Sequence, residues 1–218
     1  VSAAEARSTS GTGIPIAATA GTQFSGPVAT FVEPNAPPNG NFSAQIAWEL
    51  AETTGGRFRI GLGTQVKAHI ERRYGMPFDR PGPRLREYVL AMKAMFRAFR
   101  REEKPAFAGE FFRFDLLPDM WSPGPIDVPD PPIYIAGVNP WMLRMCGEVA
   151  DGLHVHPLNT RRYVDEVILP NVAEGAARAG RDIGAIAIAC PVFTSVGDTG
   201  EGQEQWRREA RFQMGFYG

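Results

Sequence analysis

The sequence predicts an α/β fold assembled from parallel βαβ units. From residue 57 onward, four short apolar strands are each followed by a helical pattern. That alternation implies right-handed crossovers onto one parallel sheet. The 218 residues include 24 glycines and 19 prolines, about a fifth of the chain against a usual ~12%. Such an excess demands many turns and excludes a plain helical bundle. The length is enough to bury a sizeable core in one domain or two small ones. Strands of this kind fit an open doubly wound sheet and a closed barrel equally well.

The elements follow in order. Residues 1–41 carry only three charged side chains, Glu5, Arg7 and Glu33, and are broken by glycine and proline throughout. They read as an atypical, poorly organised segment with short strands at 14–18 and 28–32, before a domain spanning 42–218. Residues 43–52 place Ile46, Trp48 and Leu50 on a helix closed by Gly55 and Gly56. Phe58, Ile60 and Leu62 alternate in a strand over 57–63, and 65–74 reads as helix. The clearest helix is 84–101, where Leu85, Tyr88, Val89, Met92, Phe96 and Phe99 recur at three and four. Arg97, Arg100, Arg101 and Lys104 read as its solvated side, and Trp48, Phe96, Phe99 and Trp206 as packing. An aromatic hairpin over 107–114 turns at Gly109, and a proline-rich connector covers 118–132. Then come strand 133–137, helix 140–150, strand 152–155, helix 163–179 and strand 185–196. Asp198 and Glu201 form a capping-box pattern that opens a last helix to about residue 213.

Composition narrows the function. A net charge of −1 offers no basic footprint for nucleic acid. No apolar run approaches the ~20 residues of a membrane span, and residues 1–10 lack a signal-peptide core. Cys146 and Cys190 sit in apolar runs, which suits a reduced, cytoplasmic protein. Gly61-Leu62-Gly63 follows a strand, but Val66 stands where a dinucleotide fingerprint needs its third glycine. No nucleophile elbow is visible.

At the end of strand 133–137, Gly137 allows close approach, Asn139 is a favoured N-cap, and Pro140 suits the first helical position. A capped helix there is either simply a capped helix or an anion site for a phosphate. His154 and His156 lie two apart and share a strand face. No ligand spacing accompanies them, so no metal site is expected. His156 and His69 are the candidate acid–base residues, weighed against structural roles.

The segments TTGGRFRIGLGTQ (53–65), GMPFDRPGPRLREYVLAMKAMFR (75–97), FAGEFFRF (107–114) and PPIYIAGVNPWMLRMCGEVADGLHVHP (131–157) resemble the luciferase-like monooxygenase superfamily. The resemblance covers residues 43–218 and is nearest to the branch using the deazaflavin coenzyme F420. It implies an incomplete TIM-type (β/α) barrel with a flavin or deazaflavin at the C-terminal mouth of its strands. Gly137, Val138 and Asn139 match the turn that holds the cofactor phosphate; Gly63 and Thr64 match the loop beside the ring and substrate. Position 65, commonly glycine in the family, is Gln65 here. Asp151-Gly152 matches the step into the sixth strand.

Residues 1–41 do not resemble the family's first three strands, and the chain stops before its eighth. Two open sheet edges are therefore expected, which would leave the isolated chain aggregation-prone or only partly folded unless residues 1–41 supply substitute strands or a second copy in a homo-oligomer closes them. The implied activity is hydride transfer between coenzyme F420 and a small organic substrate. The alternatives are an FMN-dependent monooxygenase, and a non-catalytic flavin-binding protein or inactive gene fragment with residues 1–41 read out of frame.

Overall fold

In chain order the computed structural model, which describes residues 6–9, 15–19, 28–31, 41–192 and 199–217, runs as follows. Strands β1 (Ala6–Thr9), β2 (Pro15–Thr19) and β3 (Val28–Phe31) precede α1 (Asn41–Thr53), β4 (Arg59–Leu62) and α2 (Pro81–Phe99). A small hairpin of β5 (Phe107–Ala108) and β6 (Arg113–Phe114) follows, then β7 (Ile133–Ala136), α3 (Pro140–Val149) and β8 (Gly152–His154). The last elements are α4 (Arg161–Tyr163), α5 (Leu169–Arg178), β9 (Ala187–Pro191) and α6 (Gly200–Tyr217).

Seven strands form one sheet in the order β1-β2-β9-β8-β7-β4-β3. All neighbours are parallel except β1 and β2. Each of β4, β7, β8 and β9 leads into helical structure, giving the expected four βα units. The sheet remains open, so the architecture is a partial barrel. Both edges of that four-stranded core are nonetheless paired, β4 by β3 and β9 by β2.

Side-chain size alternates along these strands. Leu62, Ile135, Leu153 and Ile188 line up across the register on one face. Each is 3% exposed or less and packs in a core with side chains from α1, α2, α3 and α5. The opposite face carries Gly61, Tyr134, Gly152 and Ala187 in one row, and Ala136, His154 and Ala189 in the next. On that face Gly61, Tyr134 and Gly152 are buried, Ala187, His154 and Ala189 are half-buried, and Ala136 is exposed. Isoleucine alternates with small residues in AIAC and at the end of IYIA, where Tyr134 is the large exception, and the core shared with α1, α2, α3 and α5 packs on the Ile135 and Ile188 side.

Helix α3 crosses α5 through two glycines. A Cβ at Gly147 would stand 2.1 Å from the Val172 carbonyl oxygen, and one at Gly175 would stand 1.9 Å from that of Arg144. Their absence lets the two backbones touch. The helix expected over 163–179 instead starts at Arg161 and widens into a π turn, Val164–Ile168, before α5. Pro170 is the cause: it has no N–H for a continuous ladder, so the turn ahead of it loosens. Residues 65–74 also depart from expectation, with one π turn at His69–Arg73 after a left-handed Gln65, φ 55°.

The proline-rich connector is tied down by two side chains. Trp48 Nε1 donates to the Gly124 carbonyl at 2.9 Å. Arg100 donates to the carbonyls of Ile126 and Val128 and to Asp130, with its guanidinium over the Trp48 ring. Arg100 is thus a clamp, which corrects its reading as part of a solvated face. The hairpin is held similarly: the Glu87 carboxylate accepts the N–H groups of Glu110, Phe111 and Phe112 at 2.6–2.9 Å.

At the N-terminal end of the parallel strands, Asp151 joins several elements. Its Oδ2 accepts the Ile133 N–H at 2.9 Å, and its Oδ1 meets Lys93 Nζ at 2.6 Å and Arg181 at 3.6 Å. Its backbone bridges to Ile133 and Ala187. Helix α6 opens with Thr199, whose hydroxyl accepts the Gly202 N–H at 3.1 Å. Asp198 of the expected capping box lies outside the described residues. Trp206, read as packing from its spacing, is 56% exposed.

Candidate functional site at the C-terminal strand ends

Because β4, β7, β8 and β9 are parallel, their C-terminal ends, and the loops leaving β4, β7 and β8, gather at one end of the sheet. Central among them is β7, whose exit is the 137–139 turn. Asn139 has extended backbone (φ −93°, ψ 157°), and its side chain accepts the Met142 N–H at 3.0 Å. Pro140 occupies the first helical turn, where its missing N–H costs nothing. The cap and proline expected from the sequence are therefore both present. Val138 and Asn139 are exposed, as an approaching anion requires.

Gly137 has a second reason to be glycine. A Cβ there would meet Met142 Cβ at 3.0 Å, the side chain of the first turn of α3. Substitution at 137 therefore strains the helix as well as any ligand contact.

Gly63 ends β4 beside Ala136 of β7, and a Cβ on Gly63 would touch only the Ala136 Cβ at 3.7 Å. Together they leave a shallow, unobstructed floor where the two strands finish. Thr64 is half-buried, and its hydroxyl donates to the Gln65 carbonyl at 3.3 Å. Gln65 then adopts the left-handed conformation that favours glycine and costs an L residue about 1 kcal/mol. This is the physical reason glycine suits position 65.

His156 follows β8 in a turn in which the Asn159 N–H donates to the His156 carbonyl at 3.1 Å. Its Nδ1 accepts the Leu158 N–H at 3.4 Å. His69 is exposed at the start of its π turn. Among the described residues no hydrogen bond or ring contact joins His69 to the 137–139 turn, Gly63 or His156. The turn and the Gly63 floor lie on adjacent strands, with the His156 loop one strand further on.

Sequence reasoning missed Tyr163. Its hydroxyl donates to the Val138 carbonyl at 3.1 Å, joining the βα unit after β8 to the turn after β7. The only available signal was its place at the mouth of the next unit. Tyr134 was also passed over as a buried strand residue. Its ring lies over Gly152, where a Cβ would meet it at 2.6 Å, with Arg59 at 6.0 Å and the His154 ring at 5.7 Å. Burial raises the Tyr134 pKa above its usual 10, Arg59 opposing.

Desolvation lowers the His154 pKa below 6.5. The unfolded chain therefore takes up this proton before the folded one does. The associated stability is fully present above pH 6.5 and is lost as pH falls through the folded value. Urea midpoints of the wild type should fall more between pH 7.5 and 5.5 than those of His154→Gln. Equal falls would show that His154 does not carry the dependence. Cys146, by contrast, is pushed up to about 12 by burial and is no nucleophile. Among the described residues no His, Cys, Asp or Glu cluster could hold a metal, and no helix is long and apolar enough to cross a membrane.

Comparison with known proteins gives these features a context. The sequence profile of luciferase-like monooxygenases matches residues 42–217. An uncharacterized protein of Mycobacterium tuberculosis is 39% identical over 175 residues, 80% of this chain and 52% of its own. The F420-dependent glucose-6-phosphate dehydrogenase of Nocardia farcinica is 31% identical over 137 residues, 60% of this chain and 38% of its own. Among solved structures, an F420-dependent secondary alcohol dehydrogenase with an F420-acetone adduct superposes with a TM-score of 0.59 at 22% identity. That match covers 70% of this chain and 44% of the other. The chain spans about half the length of the first curated relatives it matches.

Proposed function

The chain belongs to the luciferase-like monooxygenase family, and from that premise we propose that it forms the phosphate-binding half of an oxidoreductase site for coenzyme F420. The observation that carries the reading is the 137–139 turn. It combines a capped helix N-terminus, two exposed residues, Val138 and Asn139, and a glycine at the exit of a central parallel strand. Such a terminus favours an anion through its first N–H groups and the helix dipole. The residues fit a ring-bearing phosphate ester: the turn takes the phosphate, and at Gly63 only the small Ala136 side chain lies within 4 Å of where a Cβ would stand, which suits a flat ring.

When bound, the deazaflavin supplies hydride transfer to or from a small organic substrate. The chain's own residues bind, orient and exclude water. Asn139 holds the first turn of α3 in place, and Thr64 borders the floor. His156, in the turn at the exit of β8, is the candidate acid–base group. The similarity to an F420-dependent dehydrogenase at 31% identity supports F420 over FMN.

Absorbance and fluorescence titration with F420 and with FMN tests this. Saturable F420 binding at least ten times tighter than FMN binding is expected. Tighter FMN binding would overturn the deazaflavin assignment, and binding of neither would overturn the site.

A further inference from the structure

We infer that Tyr163 is a positioning residue for the 137–139 turn, acting from the neighbouring βα unit; this rests on the phosphate-site reading above. The turn is anchored on one side by its own cap, the Met142 N–H to Asn139 Oδ1 bond of 3.0 Å. That bond fixes the start of α3 but leaves the peptide between Val138 and Asn139 unfixed. Apolar packing does little there, since the Val138 side chain is 56% exposed.

The Tyr163 hydroxyl supplies the second anchor by donating to the Val138 carbonyl at 3.1 Å. Tyr163 is itself held, because its N–H donates to Thr160 Oγ1 at 3.2 Å. A trans peptide is planar, with its C=O and N–H antiparallel. Holding the Val138 carbonyl toward α4 therefore fixes the Asn139 N–H on the opposite side. One phenol thus sets the direction of a donor it never touches. Orientation of that N–H matters for a phosphate oxygen and not for a ring resting on Gly63 and Ala136.

That difference defines the test. Wild type and Tyr163→Phe are titrated with F420 and FMN, and with phosphate-free ring compounds, the truncated deazaflavin and riboflavin. Loss of one orienting hydrogen bond should weaken the phosphate-bearing ligand about fivefold to tenfold. Affinity for its phosphate-free counterpart should change less than about twofold, with the melting temperature unaltered. Equal weakening of both ligands, or of neither, would overturn the positioning role while leaving the phosphate site intact. Wild type that binds neither F420 nor FMN would overturn the site and this inference together. Wild type that binds phosphate-bearing and phosphate-free compounds equally would remove the phosphate from the argument and overturn the inference as well.

Discussion

Replacing Gly175 by alanine is expected to destabilise the protein by about 3 kcal/mol or more, since it has the shortest backbone clash among the described glycines. The added Cβ would lie 1.9 Å from the Arg144 carbonyl oxygen and 2.6 Å from its carbonyl carbon. Both are backbone, so no rotamer change relieves the overlap. The helices must part, which also strips the contact at Gly147, where a Cβ would meet the Val172 oxygen at 2.1 Å. Helix propensity alone would favour alanine by up to about 1 kcal/mol, so the sign of the result is diagnostic. Gly215→Ala in α6 is the control, since nothing lies within 4 Å of its Cβ, and a small gain is expected there. Urea denaturation of both variants reads the difference. A neutral or stabilised Gly175→Ala would mean that α3 and α5 do not cross at this point.

Asp151→Ala should cost about 2–3 kcal/mol, with Asp151→Asn losing roughly half as much. Alanine abandons the Ile133 N–H and leaves Lys93, whose side chain is only 29% exposed, without its 2.6 Å partner. An asparagine oxygen still accepts the Ile133 N–H, while the pairing with Lys93 and Arg181 is lost. Equal losses for the two variants would assign the whole effect to charge. No loss in either would deny Asp151 its role at the strand entrances.

The fold was legible where side-chain period was strong. Leu85, Val89, Met92, Phe96 and Phe99 are all buried on α2, and the four strands from Ile60 to Ile188 lie where their alternation put them. Asn139 and Pro140 were readable because capping chemistry is local. What escaped was set by contacts distant in sequence. Gly147 and Gly175 look like weak points in helical patterns until the two helices are laid across one another. Arg100 looks like a surface cation until the connector folds back onto it. Tyr163 has no local signature at all; its partner is 25 residues away on another unit. The π turn before α5 was signalled by Pro170, a residue that the apolar period of 163–179 masked.

The pairing of Ile135 with Ala136 in β7 and of Ile188 with Ala189 in β9 has a geometric consequence. Each residue pair is a tapered block, wide on the side that meets the helices and narrow on the other. Blocks of one taper set side by side form an arch, with the narrow ends inward. A bend of that sense is favoured within β7 and β9 separately, by the volumes of Ile135 against Ala136 and Ile188 against Ala189. The narrow ends, Ala136 and Ala189, fall toward the exits of those strands, so low ground there needs no closed circle to exist.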